Sequence, residues 1–489
     1  MNDADLRDLV AKRRDASFDY TNGELARNRL EAMQFYRGDN LPLYGDSGDG
    51  LSTVVSRDTM EAVESMLPAL IKPFVAGDEA VRFEPTGPED EDGAKQATEY
   101  INYLLWNHND FFRIVHDSLK DGLLYRFGVA KVVFEEVTDL TFERYQGLTQ
   151  EQVAILDDSE DEEIVGGVVQ QNADGTFDVQ TQRKAKRKTF RVIVIPPERF
   201  LFERRIASLD DGTFFAHHDI KAVGDLIAMG LDKKKCMGLR TGAPDTMEDD
   251  ERNKWEDEDN LDDDDLARKV WVDECYIRCD YEGDGTLRWR KIIVAGAQNE
   301  ILLSEEADDH PFEGWTPIPE PHKLVGRSVH DLTRDIQISK TAIKREAMNA
   351  LYLANRPQRE IVEGMVNIDD LLSPAVNGIV RVKQTGMIQA IPSATAQVLA
   401  QSFQMVEALD TDREARTGVT RYNQGMDANS LNKTATGVSI ITNASQQRQE
   451  LVARQYAESF LKGVCRKLLK LVNRYQDKAA VIRLRGKWV

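Results

Sequence analysis

Cysteine is scarce in this chain. There are four in 489 residues, Cys236, Cys275, Cys279 and Cys465. They form no CxxC and lie near no histidine pair, so nothing in their spacing points to zinc. Reduced structural thiols are the reading, which fits synthesis in a cytosol. Cys275 and Cys279 lie four apart in an alternating segment, on one side of a strand. Positive charge is also short: 63 Lys and Arg stand against 84 Asp and Glu, a formal net charge of −21. That argues against a protein whose whole surface grips nucleic acid, and it opposes nonspecific association. A protein that must let DNA slide past remains compatible with it. No apolar run approaches the length that spans a bilayer, and the most apolar one is broken by Arg126 and Lys131. The start, MNDADLRDLV, lacks the apolar core of a signal peptide.

Catalytic signatures are missing as well. There is no GxSxG, HExxH or dinucleotide fingerprint. The Gly/Asp-rich loop at 39–53 lacks the lysine of a phosphate-binding loop. His217 and His218 are adjacent, so in a strand they point to opposite faces and cannot share a ligand. Asp280–Gly285 (DYEGDG) imitates the start of a calcium loop. Position twelve is Lys291 rather than glutamate and strands flank it, so it reads as a hairpin turn. Acidic residues are common enough to imitate a nuclease metal site by coincidence. No cofactor and no metal site is expected.

What is present is a soluble α+β composition, 41% hydrophobic and 30% charged, long enough for two to four domains. The organising stretch is Gly326–Pro357. Leu332, Ile336, Ile343, Ala347, Leu351 and Ala354 recur at helical steps and predict one helix of about thirty residues. Ser328 can cap its start, and Pro357 ends it. Its other faces carry Arg334, Lys340, Lys344 and Arg345. Two readings stand: a core helix with a solvated face, or a strut that packs on its own copies and shows its charges to something else.

Before it, the spacing predicts a helix over 1–38 and another over 56–75. A short strand is expected at Phe83–Pro85, then a long helix anchored by Tyr100, Leu104 and Phe111 and continuing to Leu124. Gly128 turns the chain into the strand VAKVVFEE. Strands are expected at 165–170, 176–183 and 189–195, with an acidic loop tip at Asp157–Glu163. A short strand ends PPERFLFE, and a meander covers 269–304. The run at 241–266 is too charged to bury. After the central helix come short strands over 358–392, with a helical piece at Ile368–Leu372 and turns at Gly364, Gly378 and Gly386. A second helix follows over 395–417, carrying Val398, Phe403, Val406 and Leu409. Residues 418–433 read as a loop and 434–475 as a last long helix with Val438, Ile441 and Val452 in its stripe. The closing VIRLRGKWV alternates like a strand.

Two helices of similar length thus flank a small β-rich insert. Taken in order, EAMQFYRG, DGLLYRFGVAKVVFEE, IPPERFLFE, VWVDECYIRCDYEGDG, PIPEPHKLVGRSVHDLTRDIQISKTAIKREAMNALYLANRP and KTATGVSIITNASQQRQE resemble the phage portal proteins, most nearly the P22-like branch. The resemblance implies an α+β portal fold. Residues 1–325 would be the wing, 326–356 and 395–417 the two stem helices, and 357–394 the clip. Residues 418–433 would be the tunnel loop, 434–475 a long wing/crown helix, and 476–489 the start of a crown that is either minimal or part of a longer protein.

It also implies a non-enzymatic dodecameric ring at one capsid vertex of the virion, assembled in the host cytoplasm without a membrane. Double-stranded DNA would pass through its channel nonspecifically during packaging and ejection. The major capsid protein, the large terminase subunit and a tail adaptor or head-completion protein would be its partners. On that reading Lys340, Lys344 and Arg345 are the stem candidates for facing DNA, and Arg421, Asn423 and Lys433 the loop candidates. Arg359, Arg381 and Lys383 are the clip candidates for docking motor and adaptor. A metal-dependent nucleic-acid enzyme and a monomeric scaffold are the alternatives.

Overall fold

A computed structural model describes residues 3–489 except 46–49, 78, 150–151, 153–161, 172–175, 240–247, 249–250, 252–264, 297–298, 356, 373–377, 392–394, 421–446, 477–482, 485–486 and 489. The acidic run at 241–266 and the tip at Asp157–Glu163 therefore fall largely outside the described residues.

The N-terminal helical stretch is α1 (Asp3–Asp19), a widened turn at Tyr20–Leu25, and α2 (Ala26–Arg37). Gly38 follows with φ +77°, a left-handed stop that glycine adopts without strain. Next come α3 (Asp58–Val75), α4 (Glu91–Tyr103) and α5 (Phe111–Tyr125). Strands β1 (Gly128–Leu148), β2 (Glu162–Gln171), β3 (Phe177–Ile195), β4 (Phe200–Phe202) and β5 (Phe214–Ala222) follow. The short helices α6 (Val223–Ala228) and α7 (Lys233–Gly238) lead to β6 (Lys269–Cys279), β7 (Arg288–Ala295), β8 (Glu300–Ala307) and β9 (Phe312–Trp315). Then come α8 (Val329–Asn355), β10 (Arg359–Ile361), α9 (Ile368–Leu372), β11 (Ile388–Ala390) and α10 (Thr395–Thr417). The described part of the last helix runs from 447 through a widened turn at Ala457–Leu461 into α11 (Lys462–Tyr475). A small pair, β12 (Arg483–Leu484) and β13 (Lys487–Trp488), closes the chain.

Three sequence expectations need correction. Phe83–Pro85 is not a strand. The backbone there is held by α4 side chains instead: Asn102 Oδ1 accepts from Ala80 N at 2.7 Å, and Thr98 Oγ1 accepts from Phe83 N at 2.9 Å. The long helix through Leu124 is two helices. Asn109 leaves helical geometry, and Asp110 caps α5 by accepting from Arg113 N at 3.2 Å. The strands expected at 176–183 and 189–195 are the single strand β3, paired antiparallel with β1 from Val129↔Ile195 to Tyr145↔Val179.

The chain divides into two compact units. One comprises Met1–Leu30, Leu67–Ser328 and Glu450–Val489; the other comprises Glu31–Met66 and Val329–Gln449. The first holds two antiparallel sheets, ordered β2-β3-β1-β9 and β4-β5-β6-β7-β8. Alternation along β6 sorts its two faces. Cys275, Ile277 and Cys279 pack with Leu6 and Val10 of α1, whereas Val270 and Val272 pack with Val223, Leu226 and Cys236 of α6 and α7. Cys275 and Cys279 thus share a face, and all four thiols are unpaired and buried.

The adjacent histidines separate as the strand period requires. His218 stacks on Trp271 and bonds Asp273 through Nδ1, while His217 opposes Glu274 across the β5–β6 pair. Burial, with Lys131 nearby, pushes His217 down to about 4. Lys131 of β1 bonds Glu274 directly. Burial by itself would raise the Glu274 carboxyl. Lys131, Lys291 and the Tyr276 hydroxyl outweigh it and hold the carboxyl at about 2.

Trp315 of β9 closes the first unit's core beneath the last helix. It is 2% exposed, donates from Nε1 to Ser118 O at 2.9 Å, and meets Tyr456 edge-on. A Cβ at Gly128 would fall 2.3 Å from Ser118 O, and one at Gly122 would fall 2.5 Å from the Trp315 ring. Glycine at both positions is what lets α5, β1 and the indole meet.

Candidate functional site

The second unit is built on α8 and α10, two long antiparallel helices joined by the residues that include β10, α9 and β11. Their bounds match the two helices expected from the period. How α8 is held differs from what its apolar stripe suggests. Of the six stripe residues only Ile336 and Ala347 are buried; Leu332 and Ile343 are half-buried, and Leu351 and Ala354 are exposed. The face that is buried is polar. Thr333, Gln337, Thr341, Arg345 and Asn349 stand four residues apart, one row along the helix.

Each member of that row reads a group in the segment 35–59. Thr333 Oγ1 and Thr59 Oγ1 are 2.9 Å apart. Gln337 Oε1 accepts from Thr59 N at 3.0 Å, and its Nε2 donates to Phe35 O at 3.0 Å. Thr341 Oγ1 accepts from Ser56 N at 3.1 Å. Arg345 donates to Val54 O at 3.0 Å, to Gly45 O at 3.3 Å and to Asn40 Oδ1 at 2.6 Å. Asn349 Oδ1 accepts from Ser52 N at 2.7 Å. The segment from Ser52 to Thr59 has no strand partner among the described residues, so its buried backbone groups take their bonds from these side chains. Polar residues at a strict four-residue spacing were the signal for this row, and a search for apolar period alone passes over it.

At the start of α3, the wholly buried Asp58 is the centre of an ion cluster. Lys340, 4% exposed, donates to Asp58 at 2.7 Å and to Asp410 of α10 at 2.5 Å. Arg413 of α10 donates to Asp58 at 3.2 Å and also bonds Glu61. Burial by itself would raise the Asp58 pKa. Lys340, the Ser56 hydroxyl (2.6 Å) and Arg413 outweigh it, and the carboxyl titrates below its ordinary value. Further along the pair, Arg416 bonds Asp335 at 2.6 Å. On α2, hydrogen bonding to His330 and Arg334 prevails over burial and holds Glu31 at about 2.

The four cations expected on an open face of α8 are therefore all engaged within their own chain. Lys340 and Arg345 are buried. Arg334 pairs with Glu31 at 2.7 Å, and Lys344, half-buried, donates to Ser56 Oγ at 3.1 Å. A buried cation must be compensated where it lies, and the fold supplies the partners. Arg421, Asn423 and Lys433 lie outside the described residues, as do Val438 and Ile441 and the side chain of Val398.

The tip residues are arranged differently. Arg381 forms a two-pronged pair with Asp370 at 2.7 and 2.9 Å, and Arg381 N adds a third bond to it. Arg359 and Lys383 are exposed. Lys383 is fixed through its backbone, donating to Met365 O at 2.9 Å. The Asp280 turn is closed by its own backbone, with Gly283 N, Asp284 N and Gly285 N all donating to the Asp280 carboxylate. Among the described residues no group of three or more His, Cys, Asp or Glu could hold a metal ion, and no helix is long and apolar enough to cross a membrane.

No curated protein matched the chain. Residues 6–489, nearly the whole length, match the family model described as the phage SU10 portal protein, whereas the ordered motifs most resembled the P22-like branch. A match of that extent, on a mixed α+β fold with antiparallel sheets, shows that this chain belongs to the phage portal protein family.

Proposed function

We propose that copies of this chain close into a twelve-membered ring around a channel for double-stranded DNA, at one vertex of the capsid, for packaging and later ejection. The observation that carries this is the strut pair. Helices α8 and α10 are locked together by the Asp58–Lys340–Asp410–Arg413 cluster, centred on the buried Asp58, yet keep apolar side chains such as Leu351, Phe403 and Met405 exposed. A cyclic assembly repeats one heterologous contact until it closes. Struts held rigid within each copy and half-apolar outside it suit that contact.

In this reading the strut helices are the stem, 357–394 the clip, 418–433 the tunnel loop and 434–475 the long helix leading to the crown. Residues 1–325 are the wing, except that Glu31–Met66 belongs with the stem as its brace. Lys340 and Arg345 serve the channel by fixing the strut. Lys344 and the loop residues Arg421, Asn423 and Lys433 are the candidates for facing DNA. Contacts to phosphate must stay few, because neutralising many phosphates together binds DNA tightly enough to stall its movement. Arg359, Arg381 and Lys383 are the candidates for docking the large terminase subunit and then the tail adaptor; that Arg359 and Lys383 are exposed supports this. The major capsid protein is a further partner in this reading. The family's role is structural, and no catalytic step is assigned to the chain.

Electron microscopy of the purified protein, classified by rotational symmetry, tests the ring. End-on rings with an axial hole wide enough for duplex DNA are expected. A chain that stays monomeric at high concentration and cleaves DNA with a divalent metal would sink the reading in favour of a nucleic-acid enzyme. Lys344→Glu is expected to assemble normally and to alter DNA packaging or retention; unchanged packaging and retention would remove Lys344 from the channel wall.

A further inference from the structure

We propose that Lys467 and His310 form a proton-sensitive latch, which fastens the end of the last helix to the turn before β9 and opens in acid. Lys467 stands on α11 with its side chain 14% exposed. Its ammonium donates to His310 O at 2.6 Å and to Phe312 O at 3.0 Å, lies 3.1 Å from His310 Nδ1, and pairs with Glu313 at 3.2 Å. An ammonium has three protons and no lone pair, so in the contact with Nδ1 the imidazole can only accept. His310 is therefore the neutral ring that carries its proton on Nε2. Gly463, one turn earlier, admits the Glu313 carboxylate: a Cβ there would fall 2.3 Å from Glu313 Oε2. Lys470 and Arg474 extend the attachment to Asp309 and Asp308, but those pairs are half exposed and worth little.

Protonation of His310 inverts this contact. The imidazolium carries N–H on both nitrogens, so a donor and a positive charge would face the Lys467 ammonium. The ring is 3% exposed, and burial, followed by Lys467, holds it at about 3. Of the other charges near it, Asp309 of the turn favours the charged ring and Lys470 of the helix opposes it. From β9, Glu313 faces Lys467 with Asp210 nearby, and burial raises its carboxyl above the ordinary value. Lys291 of β7, Glu305 and Glu306 of β8, Asp308 and Arg474 line the same cleft of about 370 Å³. Lys291 is paired there with Glu305 at 3.3 Å.

A closed latch keeps His310 unprotonated down to about pH 3. An opened latch gives the ring to solvent, where it takes a proton near its ordinary value of about 6.5. Opening therefore becomes easier as pH falls from about 6.5 towards 3, by up to about tenfold per unit. Glu313 acts in the opposite sense, because its raised pKa makes the closed form the better proton acceptor. Between pH 6 and 5 the histidine prevails, since an ordinary carboxylate has only begun to titrate there.

Hydrogen exchange read by mass spectrometry on the full chain at pH 7, 6 and 5, corrected for the intrinsic rate at each pH, tests this. Opening of the amides from Val464 to Tyr475 is expected to rise by about three- to eightfold between pH 6 and 5. It should exceed the opening of β6, which reports unfolding of the whole unit. His310→Asn keeps a neutral acceptor that does not titrate, and its helix opening should stay level or fall over the same interval. Lys467→Met should raise helix opening at pH 7 by about tenfold and flatten the rise below pH 6. A wild-type change under about twofold between pH 6 and 5 would overturn the latch. So would equal opening of helix and β6 at every pH, a wild-type slope in His310→Asn, or no gain in opening in Lys467→Met. Should either variant fail to fold, as circular dichroism would show, the wild-type series still decides.

Discussion

Asp58→Ala is expected to lower the stability of the strut unit by about 3–5 kcal/mol, the usual cost of removing one partner from a buried ion pair. The carboxylate is wholly buried and takes bonds from both Lys340 and Arg413. Without it Lys340 keeps only Asp410 and Arg413 keeps mainly Glu61, two acids that are partly exposed. The expected loss exceeds the effect of Asp335→Ala, whose partner Arg416 is solvent-exposed and whose pair is worth little. Urea unfolding of the full chain, followed by exchange at α8 amides, measures the difference. A loss under about 1 kcal/mol would mean that the cluster is compensated by water rather than by Asp58.

The same carboxyl sets a pH dependence. Its folded pKa lies below the ordinary value, so the folded state binds its proton less readily than the unfolded state. The stabilisation is present above the unfolded pKa of about 3.9 and is lost as pH falls through the lower folded value. Glu31, held at about 2, adds a loss of the same sign in the same acid range. The wild-type chain is therefore expected to lose more stability between about pH 4 and pH 2 than Asp58→Ala does, narrowing the gap between them. Parallel curves for the two would show that Asp58 does not titrate with folding.

Trp315→Ala is expected to cost the first unit about 3–5 kcal/mol, from lost burial and the cavity that remains. The indole fills a space from which Gly122 and Gly128 have withdrawn, so no neighbouring side chain can move in to replace it. Its Nε1 also satisfies Ser118 O, while Ser118 Oγ lies 2.9 Å from Tyr456 Oη. Trp315→Phe should retain most of the apolar contact and lose about 1 kcal/mol with the indole hydrogen bond to Ser118 O, a helical carbonyl. Gly128→Ala should be damaging from the opposite side, because the new methyl meets a backbone oxygen held in a helix. Thermal unfolding monitored by circular dichroism would rank the three. A Trp315→Phe variant as unstable as Trp315→Ala would place the energy in the hydrogen bond rather than in the packing.

Much of this protein was legible in its sequence, and the boundary has a physical cause. Helices α8, α10 and the described part of the last helix could be placed because a period of 3.6 is written by each helix for itself. The opposed faces of His217 and His218, and the shared face of Cys275 and Cys279, follow from the period of two in the same way. The order of short motifs carried the family. Three things were decided by tertiary contact alone. The backbone near Phe83 takes its bonds from Thr98 and Asn102 rather than from a strand. In the row Thr333–Gln337–Thr341–Arg345–Asn349 the first four are buried because an extended segment some three hundred residues away in sequence needs hydrogen-bond partners. Lys340 and Arg345 are cations at exposed-looking positions whose partners come from other parts of the chain. A side chain's charge is local information, but whether that charge meets solvent, DNA or a carboxylate depends on which distant residues the fold brings beside it.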